Sequence, residues 1–252
     1  MSNVKWILAG SLALLGGTAV AADDQPRRVP VLLELFTSEG CSSCPPADRL
    51  LQELDEKQPV PGADLIVLSE HVDYWDRLGW RDTYSSAQFS ARQQDYSEKY
   101  NFDGVYTPQL AIDGRFGLVG SDARAVNSAI RKALREPKIG IRVTQAKRNG
   151  NQVKANVELP PAAGQSGVLY VALADSRAES HVSRGENSGR VLSHVAVART
   201  FQQIGRVDLT SASTKTISLT LPEGAGRSGL RVIAFVQDPK TGHVTGVGQQ
   251  KL

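Results

Sequence analysis

The sequence predicts an α/β domain over residues 23–137, followed by an all-β, antiparallel sandwich-like domain over residues 138–252. In the first segment, apolar runs of strand length alternate with stretches of helical periodicity, which is typical of strands joined by helices. After Glu136-Pro137 the pattern changes to short apolar runs separated by turn residues such as Asn149-Gly150, and no long helical period is present. Short strands at this spacing indicate an antiparallel sandwich.

Residues 1–22 are predicted to be a secretory signal peptide. Lys5 supplies the positive charge, Trp6 to Leu15 form an apolar segment, and Val20-Ala21-Ala22 has the small residues of a cleavage site. The apolar run is shorter than the roughly 20 residues of a membrane-spanning helix, so no stable membrane span is expected. The predicted location is periplasmic or secreted, where disulfides persist.

The charge balance gives no indication of a nucleic-acid partner. The chain has 29 Lys and Arg residues against 26 Asp and Glu residues, a formal net charge of +3. Removal of the signal peptide takes Lys5 away and leaves +2 (3 − 1). A nearly neutral chain of this length lacks the basic excess typical of nucleic-acid binding.

The first segment is predicted to follow the order β-α-β-α-β-β-α. Val29–Phe36 is an apolar run suited to a buried strand, and a helix should begin near Pro45, because proline is tolerated in a first turn. The predicted elements that follow are a strand at Leu65–Leu68, a helix from Ser85 or Ser86 to about Tyr100, a hairpin over Val105–Val119, and a helix capped by Ser121 or Asp122.

Cys41 and Cys44, the chain's two cysteines, lie where the first strand gives way to the first helix. The unpaired N–H groups and dipole of a helix N-terminus favour a thiolate. This spacing fits a dithiol oxidoreductase in which Cys41 attacks and Cys44 resolves the mixed disulfide. A structural disulfide is the plainer alternative. A four-cysteine zinc cage is excluded because a second pair is lacking, whereas a Cu(I) site formed with a histidine stays open.

Two further segments are candidates for substrate binding. His71 and Trp75 follow the second strand at its carboxyl end, where open α/β sheets bind ligands, although the aromatic residues there could instead fold a loop onto the core. Arg184, Arg190 and His194 belong to a polar loop and the strand after it. The arginines could bind a carboxylate, or the loop could be a solvated hairpin with internal ion pairs. We expect this loop near the cysteines, helping to define a substrate groove.

The element order, with Cys41-Ser-Ser-Cys44 at the first helix and Thr107-Pro108 opening the third strand, resembles a thioredoxin fold. A proline that enters a strand is also a candidate for a cis bond on sequence grounds alone. The resemblance implies that Pro108 packs in cis against the disulfide and, with Thr107, receives substrate backbone. It also implies that Glu34 is a buried acid that helps Cys44 lose its proton.

The chain as a whole resembles a narrower family of exported bacterial proteins of unknown function with a thioredoxin-like half. The shared segments are Phe36–Asp48, His71–Trp75, Tyr106–Gln109, and Arg184–Arg190 with His194. The resulting hypothesis is an exported thiol–disulfide oxidoreductase that needs no cofactor or metal and exchanges with protein or small-molecule thiols and a redox partner protein. The alternative is a Cu(I)-binding protein or a non-catalytic adaptor.

Overall fold

The structure is a computed structural model that describes residues 28–227 and 229–252, so the predicted signal peptide at 1–22 lies outside the described residues. Strands make up 45% of the described residues and helices 17%. In chain order the elements are β1 Val29–Thr37, α1 Pro45–Lys57, β2 Ala63–His71, α2 Ala87–Tyr100, β3 Gln109–Ile112, β4 Phe116–Val119, α3 Ala123–Ala133, β5 Arg142–Asn149, β6 Gln152–Leu159, β7 Ser166–His181, β8 Val191–Asp208, β9 Ser213–Thr220, β10 Leu230–Gln237 and β11 Val244–Lys251.

The predicted fold class, a thioredoxin-like α/β domain followed by a β-sandwich, is wrong. Strands from both segments form one mixed eight-stranded sheet, in the order β11-β10-β7-β8-β2-β1-β3-β4. The two sets meet where β2 pairs in parallel with β8, through Ser69 and Val197. The physical reason is that Val195–Ala198 of β8 are all buried, so this part of β8 can lie inside a sheet rather than at its edge. The domain boundary at 137/138 stays a prediction.

A second sheet contains β5, β6 and β9. Its inward residues pack on one face of β7 and β10, and the core between the two sheets includes Val153, Val157, Val171 and Val232. The opposite face of the large sheet packs against α1 and α3 through Leu51, Leu54 and Ile130, among others. The large sheet therefore lies between helices and the smaller sheet.

Local sequence signals place the helix starts correctly. α1 begins at Pro45 with Cys44 as its N-cap residue. The Ser86 side chain accepts a hydrogen bond from the Gln88 N–H at the start of α2, and Asp122 caps α3 in the same way. α1 is also tied to the second segment, because Arg231 of β10 makes two hydrogen bonds of 2.6 and 2.8 Å to the buried Asp55 carboxylate.

Three connections converge beside the start of α1. The first is the cysteine turn, residues 38–44, which follows β1, and the second is the loop at 72–86 that follows β2. The third is the β7–β8 connection at 182–190, which we call the clasp. The β7–β8 hairpin reaches this position because its outer part lies against α1, where Arg177 pairs with Glu56 at 2.7 Å.

Candidate functional site

Cys41 and Cys44 form a disulfide, with their Cα atoms 5.4 Å apart. Both residues have 0% exposure, whereas Ser42 and Ser43 between them are exposed. The disulfide is therefore covered, and only the segment between the two cysteines faces solvent.

The start of α1 acts on the cysteines through the helix dipole more than through free N–H donors. Pro45 and Pro46 have no N–H, and the Ala47 N–H donates to the Cys44 carbonyl at 2.8 Å. Of the two effects that favour a thiolate at a helix start, direct hydrogen bonding from the first turn is thus reduced and the dipole remains.

The segment before β3 lies beside the cysteine turn. The Thr107-Pro108 bond is cis, as the sequence suggested. The Ser43 hydroxyl donates to the Thr107 carbonyl at 3.5 Å and lies 3.3 Å from the Cys41 sulfur. The Trp75 indole donates to the Thr107 hydroxyl at 2.8 Å. The structure thus brings Thr107, Pro108 and Trp75 to the cysteines, while their roles stay predictions.

The clasp binds the cysteine turn through two side chains. The buried Asn187 amide donates to the carbonyls of Glu39 and Cys41, each at 2.9 Å. The Glu186 carboxylate accepts the Ser42 N–H at 3.0 Å, and hydrogen bonding to Ser42 lowers the pKa of Glu186. Arg190 does not reach the cysteines directly but donates to the Asn187 side-chain carbonyl at 3.0 Å. The clasp is therefore part of the site, although sequence reasoning chose its arginines rather than Asn187.

Behind the cysteine turn lies a buried group of side chains that we call the acid–imidazole cluster. It consists of Glu39, Asp48, His71, Asp82 and His194, all of them buried. The His71 Nδ1 lies 2.6 Å from Asp82 Oδ2, and the His71 and His194 rings meet edge to face with centroids 4.7 Å apart. Asp82 also accepts the Glu39 N–H at 2.9 Å, so the cluster is joined to the cysteine turn.

The histidine and carboxylate of the His71–Asp82 pair shift each other's pKa. Burial alone would lower the pKa of His71, but the charge and hydrogen bond of Asp82, together with the charges of Asp48 and Glu39, raise it. Burial alone would raise the pKa of Asp82, but His71 and the N–H groups of Glu39 and Tyr84 lower it. The pair therefore favours the ion-paired form.

Comparison with known proteins places the chain in a family without naming an activity. Residues 32–237 match the family described as "Protein of unknown function (DUF1223)". The chain belongs to this family. The resemblance to thioredoxin finds no support in this match.

One solved structure is similar over nearly the whole chain. It is protein AGR_C_4864 from Agrobacterium tumefaciens, at 28% identity and a TM-score of 0.65, with 89% of this chain and 94% of that chain covered. A DUF3823 family protein from Bacteroides ovatus has 16% identity and a TM-score of 0.29 over 44% of this chain and 52% of that one, too low to inform the fold. No curated protein matches the chain.

Glu34 lies in a different polar network from the one that the sequence suggested. Arg92 donates to its carboxylate at 2.6 Å, and Tyr96 donates to the other oxygen. Burial and the neighbouring Glu34 charge raise the pKa of Glu70, which faces the same arginine. Glu34 thus balances the buried Arg92 charge, and its predicted role beside Cys44 receives no supporting contact.

Sequence reasoning missed Glu39, Asp48, Asp82 and Asn187. The first two flank the cysteines inside the segment Phe36–Asp48, and Asn187 lies inside Arg184–Arg190, so both shared segments were usable signals. Within residues 28–227 and 229–252, no group of three or more His, Cys, Asp or Glu side chains is arranged to hold a metal ion. No helix in the described part of the chain is long and apolar enough to cross a membrane.

Proposed function

We propose that this protein is an exported thiol–disulfide oxidoreductase, periplasmic or secreted, that uses Cys41 and Cys44 as its redox pair. The observation that supports the proposal is the closed disulfide between these cysteines at the start of α1. A short-loop disulfide removes little entropy from the unfolded chain, so stabilisation alone gives a weak reason for its presence. The position favours exchange chemistry, because the helix dipole stabilises a thiolate.

The exchange needs no cofactor. A substrate thiolate attacks the Cys41 sulfur, the Cys41–Cys44 bond breaks, and Cys44 leaves as a thiolate that takes a proton. A second substrate thiolate then attacks the first substrate sulfur and releases Cys41. The substrate thiols lose two electrons and become a disulfide, the protein gains them as a dithiol, and the reverse sequence reduces a partner disulfide.

Access to the sulfurs requires movement of the cysteine turn or of the clasp. Both cysteines have 0% exposure, and the clasp is hydrogen-bonded to the Ser42 N–H and the Cys41 carbonyl. A partner that displaces these bonds would expose Cys41 to attack. The clasp thus supports a protein partner that competes for the backbone of the cysteine turn.

The test is to trap the mixed disulfide. Cys44→Ser leaves Cys41 without its resolving thiol, so it should accumulate a mixed disulfide with oxidised glutathione, whereas Cys41→Ser should do so far more slowly. Wild-type protein should equilibrate with a glutathione redox buffer at a measurable potential. A disulfide that never exchanges in the folded protein, with both variants equally inert, would refute redox function.

The burial of the disulfide favours a second candidate, a non-catalytic binding protein in which the disulfide only shapes the cysteine turn. In that case reduction should leave the protein folded but impair partner binding, without turnover. Metal analysis of purified wild-type protein and of Cys41→Ser separates a Cu(I) carrier from both: stoichiometric copper in the wild type, lost in the variant, would support the carrier.

A further inference from the structure

We propose that His194 is a positioning residue that holds both flanks of the cysteine turn, and that it does so fully only as an imidazolium. Its functional meaning rests on the proposed function, since the disulfide it positions is the proposed redox pair. His194 comes from β8, whereas the groups that it faces come from the cysteine turn and from α1.

Buried polar atoms without a hydrogen-bond partner are concentrated in the acid–imidazole cluster. Twelve such side-chain atoms occur in the described part of the chain, and five of them belong to this cluster. Buried donors and acceptors are normally paired. This concentration therefore indicates side chains that would form hydrogen bonds with one another in a different protonation state. The five atoms are Glu39 Oε1, Asp48 Oδ1, His71 Nε2 and both ring nitrogens of His194.

The two nitrogens of His194 face carboxylates on opposite sides of the cysteines. Nε2 lies 3.8 Å from Glu39 Oε1, and Nδ1 lies 3.7 Å from Asp48 Oδ1. Glu39 comes just before Cys41, and Asp48 belongs to the first turn of α1, where its N–H donates to the Cys44 carbonyl at 3.1 Å. A neutral imidazole has one N–H and can donate to one carboxylate, whereas an imidazolium can donate to both.

Other charged and titratable groups pack around His194. His71 of β2 and Tyr84 of the following loop meet its ring edge to face, at centroid distances of 4.7 and 6.2 Å. Asp82 pairs with His71, so the negative charge of Asp82 is already balanced by that partner. Arg199 lies over the Tyr84 ring and pairs with a carboxylate of its own, Asp175, at 2.8 Å. Glu39 and Asp48 are thus the carboxylates that His194 faces directly.

The consequence is that pH sets how firmly the cysteine turn is held. When His194 loses its second proton, one flank of the turn loses its donor, and the disulfide becomes more open to a reductant. The expected change in reactivity is about ten- to hundredfold, the equivalent of one charge-assisted hydrogen bond.

The experiment measures reduction of the folded protein by a water-soluble phosphine, which takes its oxygen from water as the disulfide becomes two thiols. A peptide of residues 38–49 with its disulfide closed gives the intrinsic rate at each pH. The normalised rate of the wild type should rise about tenfold or more with increasing pH. His194→Gln should be fast and flat across pH, and His181→Gln, which changes an exposed histidine, should keep the wild-type profile.

A titration of the imidazole resonances by NMR on the wild type provides the test that does not depend on a variant's folding. The midpoint of the rate profile should coincide with that of His194 rather than His71. A flat wild-type profile, a profile that survives His194→Gln, or a midpoint that follows another group would overturn the role of His194. None of these results depends on partner exchange, whereas failure of the Cys44→Ser trap refutes the proposed function on its own.

Discussion

Replacement of Asn187 by alanine should open the cysteine turn to reductants. The wild-type amide makes two 2.9 Å hydrogen bonds to the carbonyls of Glu39 and Cys41, and Asn187 is buried. Each such bond contributes about 0.5–1.5 kcal/mol net, so the clasp should lose about 1–3 kcal/mol of its closing free energy. At about 1.4 kcal/mol per factor of ten, the open population should rise by about 5- to 150-fold.

The assay is the rate at which a phosphine reduces the disulfide under native conditions. If reduction proceeds through local opening that is fast relative to chemistry, the rate follows the open population, and Asn187→Ala should be reduced faster by the same factor. The free energy of global unfolding should fall by far less than the loss of closing free energy that this rate factor corresponds to. Opening of the clasp leaves the two main cores intact.

Ser188→Ala is the matched control, because the Ser188 hydroxyl donates within the clasp, to the Ser183 carbonyl at 3.0 Å, and makes no bond to the cysteine turn. It should change the reduction rate by less than about threefold, as exposed hydrogen bonds contribute little. Equal rates for Asn187→Ala and the wild type, or equal acceleration by both substitutions, would refute the conclusion that the Asn187 amide holds the cysteine turn closed.

Three other perturbations should give separable results. Arg231→Met leaves the buried Asp55 carboxylate without its partner and should lower the free energy of unfolding by about 3–5 kcal/mol in urea titrations. The stabilisation by the His71–Asp82 pair should depend on pH, as measured by the difference in unfolding free energy between the wild type and Asp82→Asn. Because the pKa of His71 is raised, its contribution to the free energy of unfolding is full below pH 6.5 and is lost as pH rises through the folded value. Because the pKa of Asp82 is lowered, its contribution is present above pH 3.8 and is lost at lower pH. Glu186→Gln should speed reduction by the glutathione thiolate about two- to threefold at low salt, because a negative charge beside the cysteine turn is removed.

Each of these results has a defined contrary outcome. The double variant with Asp55→Leu should recover much of the stability lost in Arg231→Met, and no recovery would assign the loss to packing instead. A stability difference for Asp82→Asn that does not change between about pH 4 and about pH 9 would contradict the paired form. If Glu186→Gln speeds reduction by a neutral reductant equally, or if the effect persists in high salt, the carboxylate acts by holding the cysteine turn through its hydrogen bond rather than through its charge.

The sequence was sufficient for local structure and insufficient for strand pairing. The starts of α1 at Pro45, of α2 after its cap Ser86 and of α3 after its cap Asp122 follow from prolines and caps that act within one turn, so the structure agrees with those predictions. The pairing of β2 with β8 joins Ser69 to Val197, which are far apart in the chain, and no local pattern specifies it. An apolar stretch such as Val195–Ala198 fits a sandwich and the middle of a mixed sheet equally well.

The same distinction explains the candidate site. Cys41 and Cys44 could be found because their chemistry depends on spacing and on one helix start, and His194 was a candidate as well. The contacts that Asn187 and His194 make around the cysteines, however, exist only because the β7–β8 hairpin lies across α1. These two residues hold the turn through different atoms, Asn187 through backbone carbonyls and His194 through the carboxylates of Glu39 and Asp48. If they act independently, the effects of Asn187→Ala and His194→Gln on the reduction rate should multiply, because independent perturbations add in free energy. A double variant no faster than the faster single variant would mean that both act through one opening step.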